Sequence, residues 1–502
     1  MLERELKFRI AEEERPDEIR RVLERAGFRL EPSGALTHED RYLDTEDWLL
    51  YRAGLTLRLR REGSELMLQA KTVAREGGGT LERVEWSQPA AEGDPPWNRI
   101  PPGEVAGLLE PLAPFHLASR LRVRASVSSE REIFRWSRAD EVLGSVSLDR
   151  LDDYRELELE LEEGAPDALG DARAAIEGSL GVHPTEETKL DRALDAAGIR
   201  VPTLDEAPYM AREGDSLGVV AMKNIGRQLA RMLWNEPGTR LGVDPEYVHD
   251  MRVATRRLRT ALLVFSGAIP AKIRRDWERE LRWIGRALGR VRDCDVEAEH
   301  VSSIAASATE PERAALLVFA NRVQIKRARR RAKLLEKLDS PRFAALRTQA
   351  RYWIEIRPGV RLLRDAEVPA YIVGPRIVAG WDRRMLEACA RADARPTAAN
   401  VHALRIAIKH ARYAVEYFSD LEGPGSSRRA KQLGRLQNML GARQDAAVLL
   451  RHLRRYARTV PEKDRELFLG ARTAIDKIAR GARVRKSELR QVLVLGSEAS
   501  SV

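Results

Sequence analysis

Apolar and polar residues alternate with period two in a series of short segments over roughly the first 160 residues, the pattern of strands buried on one face. In residues 2–10, Glu3, Glu5, Lys7 and Arg9 fall on one side and Leu6, Phe8 and Ile10 on the other, since successive strand side chains point to opposite faces. The alternation returns with Thr56, Arg58 and Arg60 against Leu55, Leu57 and Leu59, and with Gln69 and Lys71 against Leu68 and Ala70. Arg83 and Glu85 oppose Val84 and Trp86; Arg120, Arg122 and Arg124 oppose Leu121, Val123 and Ala125; Glu156, Glu158, Glu160 and Glu162 oppose Leu157, Leu159 and Leu161. From about Leu217 onward the period becomes helical.

The charged faces meet either bulk water or a wet interior. One strand alone fits a solvated surface, but the signs here are sorted. Glutamates line the last strand while arginine and lysine line several middle ones, and like charges side by side on an open face repel. A sheet closed into a barrel with these faces inward lets the glutamates share divalent cations and the basic residues share an oxyanion. Polyphosphate with magnesium satisfies both sets.

Residues 1–200 resemble a CYTH domain, the triphosphate tunnel metalloenzyme fold. The resemblance rests on Glu3-x-Glu5-x-Lys7, Tyr42-Leu43-Asp44-Thr45, Leu57-Arg58-Leu59-Arg60, Lys71, Arg83-Val84-Glu85, Asp149-Arg150 and the Glu156–Glu158–Glu160 alternation. Thr188-Lys189 stands where the family usually has Ser-Lys. The resemblance implies an α+β domain with an eight-stranded antiparallel β-barrel tunnel that hydrolyses a linear triphosphate with Mg2+ or Mn2+. In it Glu3, Glu5, Glu158 and Glu160 hold the metal, hard oxygen ligands suiting a hard cation. Lys7, Arg58, Arg60, Lys71, Arg83 and Arg131 neutralise phosphate oxygens, with arginine's planar fork able to take two at once. Lys189 joins Glu3, Glu5 and Lys7 in the catalytic set. Glu85 and Asp149 either orient a water and complete the metal shell or form structural ion pairs.

A proline-marked connector over residues 201–214 leads into a tandem repeat. His249, Arg252, Arg256 and Arg259 return as His402, Arg405, Lys409 and Arg412 at an offset of about 153 residues. Phe265 returns as Phe418, and Leu288-Gly289 with Asp293 returns as Leu440-Gly441 with Asp445. On a helical wheel Met251, Ala254, Leu258, Leu262 and Phe265 form one stripe and the cations another; Leu404, Ala407, Ala411, Val415 and Phe418 repeat it. Solvated faces usually carry glutamates three or four residues from their arginines, and these faces read as lacking them. That points to an external polyanion. The histidines either donate to phosphate or cap their helices, and Asp293 and Asp445 read as cap or ion-pair residues. The cations of residues 326–333 read as a solvated helix that adds to the field.

Residues 215–495 resemble a CHAD domain, a helical module associated with inorganic polyphosphate. The resemblance implies an all-α pair of four-helix bundles with pseudo-twofold symmetry, over about 215–345 and 370–495. It places His249, Arg252, Arg256, Arg257, Arg259, His402, Arg405, Lys409 and Arg412 along a polyphosphate groove. Lys409 and His410 depart from Arg256 and Arg257 of the first copy, which weakens phosphate contact by the second.

Composition sharpens the division. Residues 1–206 carry 29 basic and 44 acidic residues and residues 207–502 carry 58 and 33, so the halves are oppositely charged. Cys294 and Cys389 have no zinc spacing or disulfide framework. With a strand at the start in place of a signal sequence, and no long apolar run, the expectation is a cytoplasmic protein without membrane contact, with polyphosphate granules as a site of association. Competing readings are a catalytically weak polyphosphate-granule adaptor, and a thiamine triphosphatase or class IV adenylate cyclase on the same tunnel. Nucleic acid is disfavoured because few aromatics accompany the basic helices. The sequence sets no oligomeric state.

Overall fold

The computed structural model describes residues 2–10, 16–73, 80–90, 93, 95–139, 141–151, 154–161, 167–355, 363–422 and 424–460. Its contacts separate two units, Met1–Thr203 with Pro237–Asp244, and Leu204–Glu236 with Pro245–Val502. In the first, β1 (Leu2–Ile10), β2 (Arg29–Asp44), β3 (Leu55–Glu62), β4 (Glu65–Thr72), β5 (Thr80–Pro89), β6 (Arg122–Arg138), β7 (Glu141–Arg150) and β8 (Arg155–Leu161) close into an antiparallel barrel. The order around it is β1-β5-β4-β3-β2-β6-β7-β8. β1 seals the ring, with Glu3 opposite Arg83 of β5 and Lys7 opposite Glu158 of β8.

The apolar faces point outward, under helices α1 (Pro16–Arg25), α2 (Leu49–Arg52), α3 (Glu104–Leu109), α4 (Leu117–Arg120), α5 (Asp167–Leu180) and α6 (Lys189–Ala196). Leu6, Phe8, Leu157 and Leu159 pack on Ile19 and Leu23 of α1 and Leu169 and Ile176 of α5. Leu57, Leu59 and Leu68 pack with Val105 and Leu109 of α3. Each buried side chain of this kind contributes about 1.5–3 kcal/mol, so this outer layer supplies the driving force that a charged lining does not.

One strand departs from expectation. Arg120 ends α4, and β6 carries one extra residue against β2: Tyr42 pairs with Ala125 but Leu43 pairs with Val123. The bulge at Arg124 reverses the alternation, and Val123 is exposed.

The Tyr42-Leu43-Asp44-Thr45 motif is largely architectural. Asp44 is buried and accepts backbone N–H bonds from Thr45, Leu50 and Tyr51 at 2.7, 2.9 and 2.9 Å, which fixes the start of α2. Burial nevertheless pushes its carboxyl up to about 6.

The second unit opens with α7 (Leu217–Trp234), after which α8 (Glu236–Leu241) returns the chain to the first unit, where Leu241 belongs to the core. Then come α9 (Pro245–Val264), α10 (Ala271–Ala306), α11 (Glu310–Leu338) and α12 (Pro341–Glu355), and the second copy, α13 (Ala370–Ala394), α14 (Ala398–Glu422) and α15 (Pro424–Ala457). The sequence repeat maps α9 onto α14 and α10 onto α15. The remainder expected of the second bundle, residues 461–495, lies outside the described residues. Both apolar stripes are buried apart from a half-buried Ala407, and Phe265 and Phe418 meet with ring centroids 5.5 Å apart. Among the described residues no helix is long and apolar enough to cross a membrane.

Candidate functional site

Antiparallel register places opposite charges across from one another inside the barrel: Lys7 with Glu158, Arg131 with Asp149, Lys71 with Glu85 and Arg60 with Asp40. Such pairs make a buried ionic lining tolerable. They border a cavity of about 220 Å³ lined by Lys7, Arg58, Arg60, Lys71, Arg83, Arg131 and Lys189, with Glu85, Glu158 and Glu160. Tyr42, Thr56, Gln69 and Thr188 line it as well, none of them singled out by the sequence as binding residues.

Lys189 enters this lining because of a helix cap. Thr188 accepts the N–H of Asp191 at 3.1 Å, and Asp191 accepts the N–H of Thr188 at 2.9 Å, a reciprocal capping box that threonine fills as serine does. α6 is anchored by Leu190 and Leu194, which pack with Tyr42 and Trp48. The first residue of the helix, Lys189, then reaches Asp149, Glu156 at 2.8 Å and Glu158 at 3.3 Å.

The carboxylates fall into two groups. Asp149, Glu156 and Glu158 bring oxygens within 4.8 Å of one another, with Arg131 forked on Asp149 at 2.7 and 2.6 Å. Burial alone raises Glu158, yet Lys189, Lys7 and Arg131 hold it well below the ordinary carboxylate range. Burial raises Glu156 against the pull of Lys189 and Lys7, with Glu158 adding to the rise. Burial lowers Lys7 and Lys189, but the surrounding carboxylates raise both above the ordinary lysine range.

Glu5 is the other focus. It is fully buried, and neither carboxylate oxygen accepts a hydrogen bond. Arg83 Nε lies 3.2 Å away but misaligned, and Lys7 and Lys71 stand at 3.8 and 3.9 Å. Across the β1–β8 ladder it faces Glu160, a like-charge pair that a cation would relieve. The orphaned oxygens and the all-oxygen donor set fit a divalent cation of the magnesium type.

Of the expected metal ligands, Glu5, Glu158 and Glu160 are on the inner wall; the side chain of Glu3 lies outside the described residues. Glu156 and Asp40 were not among the expected site residues. Asp40 takes both prongs of Arg60 at 2.7 and 2.6 Å and a third bond from Arg58 at 3.2 Å, so these two cations come partly neutralised. Asp149 is held by Arg131 and Lys189, and Glu85 stands 3.5 Å from Lys71, the ion-pair alternative for both.

In the helical unit the cations divide likewise. Arg257 and Arg412 share Glu416 at 2.8 and 2.7 Å, and Arg259 meets Glu278 at 3.3 Å. The expectation of uncompensated faces is corrected for these three, Glu416 standing one turn from Arg412. Among the described residues Arg252, Arg256 and Lys409 have no carboxylate within 4.0 Å, and Arg405 has Asp445 only at 3.9 Å, with a hydrogen bond to Gln444 at 2.9 Å. Arg256 donates to the Tyr413 hydroxyl at 3.1 and 2.9 Å. His402 contacts Gln444 and is exposed, while His249 is half-buried beside Glu246 and Asp250. Asp293 and Asp445 sit inside α10 and α15 rather than at their caps.

The cations of the two repeats converge. Burial, then Arg256, Arg405, Arg252 and Arg259, depress Lys409 to about 8. The ammonium is therefore charged at pH 7 and is lost above about 8, and an anion that raises its affinity for a proton binds less tightly as pH rises through that window. The affinity of a phosphate anion bound among these cations is expected to fall about tenfold between pH 7 and 10, and Lys409→Arg to flatten the fall. An identical pH profile for wild type and K409R, measured by titration with labelled polyphosphate, would remove Lys409 from contact with the anion.

An antiparallel strand tunnel with an ionic interior, joined to a tandem helical repeat with converging cations, defines the class of the molecule. The chain carries a CYTH domain, matched over residues 1–194, and a CHAD domain, matched over residues 223–454. Solved structures similar to it include the CHAD domain from the plant Ricinus communis, 27% identical with a TM-score of 0.44, covering 55% of this chain and 95% of that one. PptA from Streptomyces chartreusis is 17% identical with a TM-score of 0.44, covering 57% and 100%. A candidate adenylyl cyclase from Hippeastrum, described as revealing a dominant triphosphatase activity, is 17% identical with a TM-score of 0.29, covering 40% and 98%. No curated protein matches the chain.

Proposed function

We propose that the tunnel is a metal-dependent hydrolase of inorganic triphosphate or short polyphosphate, and that the helical unit binds inorganic polyphosphate. One observation carries the reading. The cavity is lined by seven cationic side chains and three carboxylates, a surplus that suits a compact, highly charged anion. Phosphoryl transfer asks the protein chiefly for positioning and charge neutralisation. Lys7, Arg58, Lys71, Arg83 and Arg131 grip phosphate oxygens and align the chain. Glu5 and Glu160, together with Glu158, would hold Mg2+ or Mn2+, which when bound supplies Lewis-acid neutralisation at the phosphate oxygens. Polyphosphate held by the helical unit raises the local concentration of chain ends.

A panel of triphosphate, thiamine triphosphate, ATP and long-chain polyphosphate with either metal tests the reading. Phosphate release fastest from triphosphate is the expected result, abolished by chelation. Cyclic AMP from ATP would instead establish a cyclase. A binding-only tunnel is the second reading, favoured by the neutralisation of Asp149 and Glu158 by Arg131, Lys7 and Lys189; phosphate binding without release from any of the four would establish it.

A further inference from the structure

The long helices α10 and α15 carry glycines in their interiors, where glycine is the poorest helix former after proline. Two of these occupy equivalent places in the repeat, and each lies under an arginine of the converging cations. A Cβ built on Gly289 would stand 3.3 Å from Nε of Arg252, and one built on Gly441 would stand 3.2 Å from Nη2 and 3.6 Å from Cζ of Arg405. Gly434, two turns earlier in α15, lies beneath Arg412 more loosely, with Nη1 at 3.4 Å from the added carbon. The bare helix backbone is thus the surface on which these guanidinium groups lie.

The contrast within α10 is informative. Gly285, one turn before Gly289, has only the Thr255 hydroxyl near its missing Cβ, at an ordinary 3.6 Å. Gly289 therefore differs from its neighbour in what lies over it, not in its helix. Arg252 and Arg405 also act on each other electrostatically and on Lys409, so a shift of either fork alters a shared cationic field.

Resting on the polyphosphate-binding reading, we infer that Gly289 and Gly441 are positioning residues: each is the bed that holds an arginine fork at the height and angle at which it meets phosphate oxygens. Alanine at either place lifts the fork by a few tenths of an ångström without removing its charge. Position and charge are separable in measurement. Loss of a cation lowers both affinity and the slope of affinity against salt, because the slope counts neutralised charges, whereas a displaced cation lowers affinity alone.

The test uses the full chain and labelled long-chain polyphosphate. The Gly289→Ala/Gly441→Ala double variant is expected to bind about tenfold more weakly with the salt slope unchanged, while its thermal midpoint rises by about 2–4 °C from improved helix propensity. Gly285→Ala is expected to raise the midpoint without changing affinity. Binding by the double variant equal to wild type would overturn the inference, and so would a lowered midpoint, which would make the glycines packing residues. If the wild type itself does not retain polyphosphate, the functional reading fails before this one is reached.

Discussion

Replacing Glu5 by glutamine is expected to lower turnover of inorganic triphosphate by about 10³-fold or more while polyphosphate retention stays at the wild-type level. The amide has nearly the same shape, so the barrel has no cavity to collapse. What changes is one charge at the position proposed to hold a cation. Glu5 faces Glu160 across the ladder and its two oxygens accept no hydrogen bond, with three cations standing between 3.2 and 3.9 Å away. A factor of 10³ corresponds to about 4 kcal/mol, within what loss of a charged ligand in a low-dielectric site removes. The thermal midpoint is the control: a variant that stays folded at the assay temperature ties the loss of turnover to the charge removed at Glu5 rather than to unfolding. Turnover equal to wild type in steady-state phosphate release would take Glu5 out of the machinery.

The tunnel was legible because its strands are two-faced. Leu6, Phe8 and Ile10 against Glu5 and Lys7 state both where the core lies and that the other wall is ionic. The register supplied what alternation does not: Asp40 sits opposite Arg60 only because β2 pairs with β3 in one particular way, and no local pattern ranks Asp40 above other acids. Glu156 belongs to the same alternation as Glu158 and Glu160, and its place in the site depends on Lys189, 33 residues further on, which reaches it at 2.8 Å. In the helical half the repeat and the apolar stripes were readable from spacing alone. The neutralisation of Arg412 by Glu416 was readable too, four residues along the same helix. The pairing of Arg259 with Glu278 required the turn between α9 and α10. The role of Gly289 and Gly441 depends on which side chain crosses them, which is a property of helix packing and not of either helix.

Substituting Arg252, Arg256, Arg405 and Lys409 together by glutamine is expected to weaken polyphosphate binding by about 10³-fold at physiological salt and to reduce the salt slope by about 3. Among the described residues Arg252, Arg256 and Lys409 have no carboxylate within 4.0 Å and Arg405 has Asp445 only at 3.9 Å, and burial followed by the charges of Arg256, Arg405 and Arg252 depresses Lys409. Mutual repulsion is relieved when an anion lies among them, so their joint removal costs more affinity than the surface charge of four scattered lysines. Glutamine is shorter than arginine or lysine but keeps an uncharged amide donor at each position, and the apolar stripes that pack α9 and α14, Met251, Leu258 and Phe265 with Leu404, Ala411 and Phe418, are left unchanged. Triphosphate turnover by the tunnel is expected to be unaffected. The companion variant Arg257→Gln/Arg412→Gln removes two cations already bound to Glu416, and its salt slope is expected to change by less than half as much. Equal effects from the two variants would mean that the chain follows the whole basic surface; an unchanged slope in the quadruple variant would place the polyphosphate site elsewhere.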